Sequence, residues 1–233
     1  MKQQIRTPFF EIGVKNYIYG DDVLALAKAA DAAALRYDID VLFIAPYVDI
    51  RRIAENCENL IVFAPYMDTL RPGRGIADVL PEAISAAGAK GVVLNHCERP
   101  MSISAMKETI ERANELSLLT FACADSIAET KAVSQLHPDI INPEPSELIG
   151  SGNTSSMEYV FSSIKAVKGI YPDILVEQAA GISTSDQVYA NIMAGADGVG
   201  VASGIVGADD PLDMAEEMIA AVRRAVNDLS TCF

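Results

Sequence analysis

The sequence predicts an α/β chain folded as a single-domain (β/α)8 barrel over residues 1–233. Short apolar runs recur along the chain, each followed by a polar or Gly/Pro-containing loop and then an Ala-rich amphipathic stretch. The runs are near-continuous rather than alternating, as in strands covered on both faces. Eight strand–helix units in 233 residues also suit a barrel whose typical size is about 250 residues. The same alternation permits a doubly wound open sheet as the second reading. No linker or break in composition divides the chain.

Strands are expected at Phe9–Val14, Val41–Ala45, Leu60–Ala64, Gly91–Asn95, Leu118–Cys123, Ile140–Asn142, Ile174–Gln178 and Gly198–Ala202. Between them, Asp21–Tyr37 carries Ala and Leu at helical spacing. Ser102–Leu116 places Met106, Ile110 and Ala113 behind Ser102 as an N-cap, a residue type that accepts hydrogen bonds from the first turn. Ser183–Ala194 and Asp213–Asp228 read as helices in the same way. The near-repeat of "FIAPYVD" (43–49) and "VFAPYMD" (62–68) looks like two successive strand-to-helix turns of one architecture.

Composition narrows the function classes. A net charge of -14 argues against general affinity for nucleic acid or an anionic membrane. A small anion can still bind backbone N–H groups and a few local cations. Four scattered cysteines without a CxxC fit reduced thiols in a cytoplasm. The N-terminus, MKQQIRTPFF, has no apolar signal region, and no run reaches the 18 or so apolar residues of a membrane span.

In such barrels chemistry sits at the C-terminal ends of the strands. The first strand ends in "EIGVK", which puts Lys15 at the mouth; the fourth ends in "VVLNHCER", which puts His96 there; the sixth ends in "INPEPSEL", which puts Glu144 there. Each has an ordinary reading. Lys15 could be a surface charge, His96 a hydrogen-bonded strand-end residue, and Glu144 the tip of a rigid Pro-Glu-Pro turn. The loops "AAGIS" and "ASG" could be tight turns, yet the last two loops of these barrels often give backbone N–H groups to a phosphate. Adjacent side chains on an extended segment point to opposite faces, which argues against a Cys97–His96 nucleophile and leaves Cys97 as a packed small residue. His137 precedes a strand and reads as structural. No His/Cys/carboxylate cluster has metal spacing.

The segments "KNY", "LNHCER", "NPEPSELIGSG", "AAGIS" and "GVGVASG" resemble the triosephosphate isomerase family, its shorter archaeal-type members above all. The resemblance covers nearly the whole chain, in order, and implies a TIM barrel. It implies Glu144 as catalytic base, His96 as electrophile, Lys15 as the substrate-binding cation and Glu98 as the carboxylate supporting that lysine. It gives Ile149, Gly150, Gly181, Ser183, Ala202 and Ser203 to phosphate binding, and Glu144–Gly152 to a closing lid. A Glu base with a neutral His electrophile is a pattern for which triosephosphate isomerase is itself the known case. No metal or organic cofactor is implied. The expected partners are a small phosphorylated sugar and further copies of the chain, as homodimer or homotetramer.

Departures from the family's pattern point to a reshaped substrate site. Gly13 stands where the family usually has an Asn, and strand geometry would point Asn16 to the other face. The third loop, "RPGRGIADV", lacks the usual Thr-Gly pair and introduces Arg71 and Arg74 near the mouth. Amides contacting substrate hydroxyls give much of the discrimination between close analogues. A four-carbon tetrulose phosphate is therefore weighed with triose phosphate. Two other classes stay open: a phosphate-anchored barrel synthase or lyase, and a catalytically silent sugar-phosphate-binding protein.

Overall fold

The computed structural model describes residues 2–149 and 153–231. In them, eight parallel strands close into a barrel in which each strand pairs with the next and the eighth returns to the first. The order of elements is β1 (Phe9–Gly13), α1 (Asp21–Tyr37), β2 (Val41–Ile44), α2 (Ile50–Asn56), β3 (Leu60–Ala64), α3 (Pro81–Ala86), β4 (Gly91–Leu94), α4 (Ile103–Glu115) and β5 (Leu119–Ala124). There follow α5 (Ile127–Ser134), β6 (Ile140–Pro143), α6 (Met157–Lys168), β7 (Leu175–Gln178), α7 (Ser185–Met193), β8 (Gly198–Val201), α8 (Ser203–Val206) and α9 (Pro211–Thr231). The open-sheet alternative is thereby excluded, and every expected strand is present to within one residue at either end.

The unbroken apolar runs follow from the barrel having two cores. Phe10, Val41, Val62 and Val92 face outward into the layer between sheet and helices. Their neighbours Phe9, Leu42, Phe63 and Val93 face inward and fill the barrel. Successive side chains on a strand alternate in direction, so a strand buried on both faces must be apolar at nearly every position.

Inside the barrel, large rings are accommodated by glycines across from them. A Cβ on residue 91 would strike the Phe63 ring, and one on residue 198 would strike the Phe9 ring. Phe63 also meets Phe121 edge-to-face at 6.3 Å between centroids. Because Phe63 is wholly buried, Phe63→Ala leaves a cavity and is expected to cost about 3–5 kcal/mol. Urea unfolding at fixed pH measures this as a lowered midpoint with an unchanged slope.

Caps set the helix limits. The Ser102 hydroxyl accepts from the Ala105 N–H, as expected for an N-cap. The α7 cap is Thr184, which forms a reciprocal capping box with Gln187. Helix α9 extends beyond the expected span at both ends: Asp210 accepts from the Leu212 and Asp213 N–H groups, and Pro211 opens the first turn. Its buried face, Ala215, Met218, Ile219, Val222 and Ala225, repeats at helical spacing. No helix among the described residues is long and apolar enough to cross a membrane.

Candidate active site

The C-terminal mouth of the barrel opens on a cavity of about 490 Å³. Glu11, Gly13, Lys15, His96, Glu98 and Glu144 all line it, as do Ile149, Gly181, Ala202 and Ser203. The residues nominated from strand ends at distant points of the chain therefore share one space.

β1 stops at Gly13, and Lys15 turns out of the strand with φ 47°. This turn brings the ammonium to Glu98 Oε1 at 2.9 Å. It also corrects the expected direction of Asn16: with the extended geometry ended, Asn16 lines the cavity rather than the opposite face. Burial opposes the Lys15 charge, but the Glu98 hydrogen bond and the negative charge of Glu98 and Glu144 outweigh it and hold its pKa above the ordinary value. The same hydrogen bond holds Glu98 below the usual carboxylate range. Lys15 thus stays cationic and Glu98 anionic at neutral pH.

His96 lies in a tight turn after β4, closed by the Arg99 N–H donating to the His96 carbonyl at 2.7 Å. Asn95 fixes that turn. Its Nδ2 donates to the Cys123 carbonyl at 3.0 Å and to Glu129 at 2.9 Å, while its Oδ1 accepts from the Met101 N–H at 2.8 Å. The Glu98 N–H donates to His96 Nδ1 at 3.2 Å. A backbone N–H can only donate, so Nδ1 is the bare nitrogen and Nε2 carries the proton of the neutral ring. Burial first, and the Lys15 charge second, push the His96 pKa below its ordinary value. The ring is a neutral donor through Nε2.

Glu144 follows β6, its N–H donating to the Ala124 carbonyl at 2.8 Å, and a single 3₁₀ turn at Ser146–Leu148 begins just beyond it. Its Oε2 stands 4.0 Å from His96 Nε2 and accepts from Asn142 Nδ2 at 3.3 Å. Burial pushes its pKa up to about 7, against the pull of Lys15 and the Asn142 hydrogen bond. A carboxyl poised near neutrality, a neutral imidazole donor and a fixed ammonium suit proton abstraction from carbon with charge forming on a nearby oxygen.

The small-residue loops are less uniform than expected. Gly181 has φ 67°, and a Cβ there would strike the Asn153 carbonyl and stand 3.3 Å from that of Leu148. The segment after Glu144 thus packs its backbone directly against the loop after β7. Ser183 does not line the cavity; its N–H donates to Gln187 Oε1 at 2.8 Å as part of the α7 cap. Gly150, like the last part of the expected lid, lies outside the described residues.

Two arginines expected to reshape the mouth stand away from it. Arg71 pairs with Glu115 at 2.8 Å, and Arg74 is exposed and does not line the cavity. Arg99 does line it, stacked over the Tyr66 ring at 4.0 Å. Cys97 is exposed rather than packed, and its Sγ lies 3.9 Å from His96 Nδ1, because the pair sits in a turn and not on an extended strand. Burial and the Glu144 charge raise its thiol pKa, so it is a poor thiolate. His137 stands before β6 at the far end of the barrel, 3.0 Å from Asp173. Among the described residues no group of three or more His, Cys, Asp or Glu side chains is arranged to hold a metal ion.

A parallel eight-stranded barrel with a carboxylate, an imidazole and an ammonium at its C-terminal mouth defines an acid–base enzyme of the barrel class. Sequence comparison carries the assignment further. The triosephosphate isomerase family model matches residues 10–218. A triosephosphate isomerase of Methanobacterium bryantii is 34% identical over 227 residues, covering 95% of this chain and 100% of that protein. That of Methanocaldococcus jannaschii is 36% identical over 207 residues, covering 88% and 94%. That of Sulfurisphaera tokodaii is 33% identical over 231 residues, covering 96% and 99%. The chain belongs to the triosephosphate isomerase family and is an isomerase.

Proposed function

We propose that the chain, acting as one barrel domain, interconverts the aldose and ketose forms of triose phosphate. The observation that carries this is the 4.0 Å approach of His96 Nε2 to Glu144 Oε2 beside the Lys15 ammonium. The Glu144 carboxylate takes a proton from the carbon next to the substrate carbonyl. The electron pair moves onto the carbonyl oxygen and leaves an enediolate. His96 Nε2–H hydrogen-bonds the oxygens on which charge grows, and Lys15, held by Glu98, supplies the fixed positive charge. The hydroxyl proton of the enediolate passes from one oxygen to the other by way of His96, Glu144 returns its proton to the adjacent carbon, and no outside oxidant or reductant is consumed. Backbone at Ile149, Gly150, Gly181, Ala202 and Ser203 serves the phosphate, with Ser183 acting through the α7 cap.

A four-carbon ketose phosphate is the second reading, favoured by the missing side chain at Gly13. The test is an assay with triose phosphates and the four-carbon ketose phosphate in deuterated water. Isomerisation with deuterium uptake at the carbon beside the carbonyl is expected. Background rates on every short sugar phosphate would overturn both readings, and binding without exchange would leave a silent binder.

Homo-oligomer assembly, as dimer or tetramer, belongs to the same proposal. Tyr19, Val48 and Ile76 are 76%, 86% and 94% exposed on the loops after β1, β2 and β3. Apolar side chains gathered on one side of a molecule favour burial against a partner. Light scattering at micromolar concentration checks this as a mass at least twice that of one chain. A cytoplasmic setting fits the free thiols of Cys57, Cys97 and Cys123.

A further inference from the structure

We propose that Glu11 is a substrate contact of the isomerisation: its carboxyl, standing in the space over Gly13, hydrogen-bonds an oxygen on the reacting carbons and helps set which short sugar phosphate is accepted. This rests on the isomerase reading and adds a residue to it.

The inward-facing positions of β1 are Phe9, Glu11 and Gly13. Glu11 is 5% exposed and is among the residues that line the cavity. A Cβ on residue 13 would stand 2.9 Å from Glu11 Oε1, so the carboxyl occupies the room a side chain at position 13 would need. Its other oxygen reaches across to β8 and β7, where a Cβ on residue 200 would strike both Glu11 Oε2 and Glu177 Oε1. Two glycines, on β1 and β8, thus make the space for this carboxyl.

Glu11 Oε1 has no hydrogen-bond partner among the described residues. A buried hydrogen-bonding atom without a partner is uncommon in folded proteins and marks a place where something else supplies the bond. Glu177, behind it, also lacks partners but does not line the cavity, so it does not reach substrate.

The groups facing Glu11 determine how it bonds. Burial first, and the Glu144 charge second, raise its pKa well above the carboxylate range, with Lys15 opposing. Glu177 is raised by burial, by Glu11 and by Glu144, and the Cys123 thiol is raised by burial too; neither group can be cationic, and Lys15 is the positive charge that opposes the rise at Glu11. Glu11 therefore holds its proton to higher pH than an ordinary carboxyl, and in that form it donates. A carboxylic acid kept neutral by an apolar site is a known donor to a forming enolate. No proton leaves Glu11 in this role; the hydrogen bond strengthens as charge grows on the substrate oxygen.

The test compares Glu11→Gln, Glu11→Leu and Glu11→Asp with the unaltered protein. The amide of Glu11→Gln keeps size and a neutral donor, so kcat/KM is expected to stay within about fivefold. Glu11→Leu keeps bulk without a donor and is expected to lower kcat about 100-fold, the scale of one lost oxyanion donor. The ratio of kcat/KM between three- and four-carbon substrates should shift about tenfold in Glu11→Leu. Competitive inhibition by inorganic phosphate should change less than twofold, because its site lies on other loops. Should Glu11→Leu not fold, Glu11→Asp withdraws the carboxyl from Gly13 by one methylene and should show the same loss in kcat. A folded Glu11→Leu or Glu11→Asp with kcat and substrate ratio within twofold of the unaltered protein overturns the proposal. So does a Glu11→Gln as impaired as Glu11→Leu. An unaltered protein with no turnover at all sinks the isomerase reading, and this inference with it.

Discussion

Replacing Glu144 with glutamine is expected to lower kcat by about 1,000-fold while stabilising the fold at pH 8 by on the order of 3 kcal/mol. The first effect is the loss of the proposed base, since such a group typically contributes 100- to 10,000-fold to proton transfer. The second follows from the position of the carboxyl. Burial raises the Glu144 pKa to about 7 from the ordinary 4.5, and each unit of difference is about 1.4 kcal/mol. The sign is that of a raised acid: below about pH 4.5 folded and unfolded chains are both protonated and no cost arises. As pH rises from about 4.5 to 7 the unfolded chain ionises first, and stability falls. Above about 7 the whole cost of a buried charge is present. Glutamine cannot ionise, and it keeps an oxygen to accept from Asn142. Thermal unfolding of both proteins at pH 5 and pH 8 should show curves close together at the lower pH and apart at the higher. The same ionisation sets the acid limb of activity, so kcat/KM is expected to rise with pH through about 7 and then level. A glutamine variant no more stable than the unaltered protein at pH 8 would show that Glu144 is not held near neutrality.

Lys15→Met is expected to lower kcat/KM by about 1,000-fold and to move the acid limb to higher pH. The ammonium is the positive charge that lowers the Glu144 pKa and opposes the rise at Glu11. Without it the cavity keeps Glu98 and Glu144 with no lysine facing them from the loop after β1, and Glu144 becomes harder to ionise. Charge forming on the substrate also loses the fixed counter-ion proposed for it. Comparing pH profiles of kcat/KM separates the two effects. A lower plateau with an unmoved midpoint would mean that Lys15 acts on the substrate alone. Burial of Glu98 is slight, so Glu98→Gln should have the milder consequence of a more mobile lysine, seen mainly in KM.

Much of this site was legible along the chain because strand ends in a barrel converge. Once the apolar runs were counted, Lys15, His96 and Glu144 fell at strand termini, and the closed sheet lined all three on one cavity. What escaped the linear reading lay where extended geometry stops. Side-chain alternation stops at Lys15 and at His96, where the backbone has already turned. Alternation therefore does not place Asn16, which lines the cavity, and Cys97 is a poor nucleophile because its thiol pKa is raised. The third-loop arginines differ from expectation for a similar cause: chain proximity to the mouth says nothing of the Glu115 carboxylate with which Arg71 pairs. Asn95, which fixes the His96 turn through three hydrogen bonds, looked like a strand end and nothing more.

Glu11 and Glu177 did leave a mark, as charges inside "FFEIG" and "LVEQ", runs otherwise apolar on both faces. A charge in such a run is a physical anomaly whichever face it takes, so the signal was there to be found. Which face each carboxyl took, and that they meet across Gly200 beneath Glu144, required the closed barrel. Periodicity and loop chemistry are local properties, and they were enough for the order of elements, the barrel and the residues at its mouth. Protonation is a property of neighbourhood. The burial that brings Glu144 to about 7, the Lys15 charge acting on Glu144 and His96 and the Glu144 charge acting on Glu11 come from groups far apart in sequence that line one cavity, and only the folded chain brings them within each other's field.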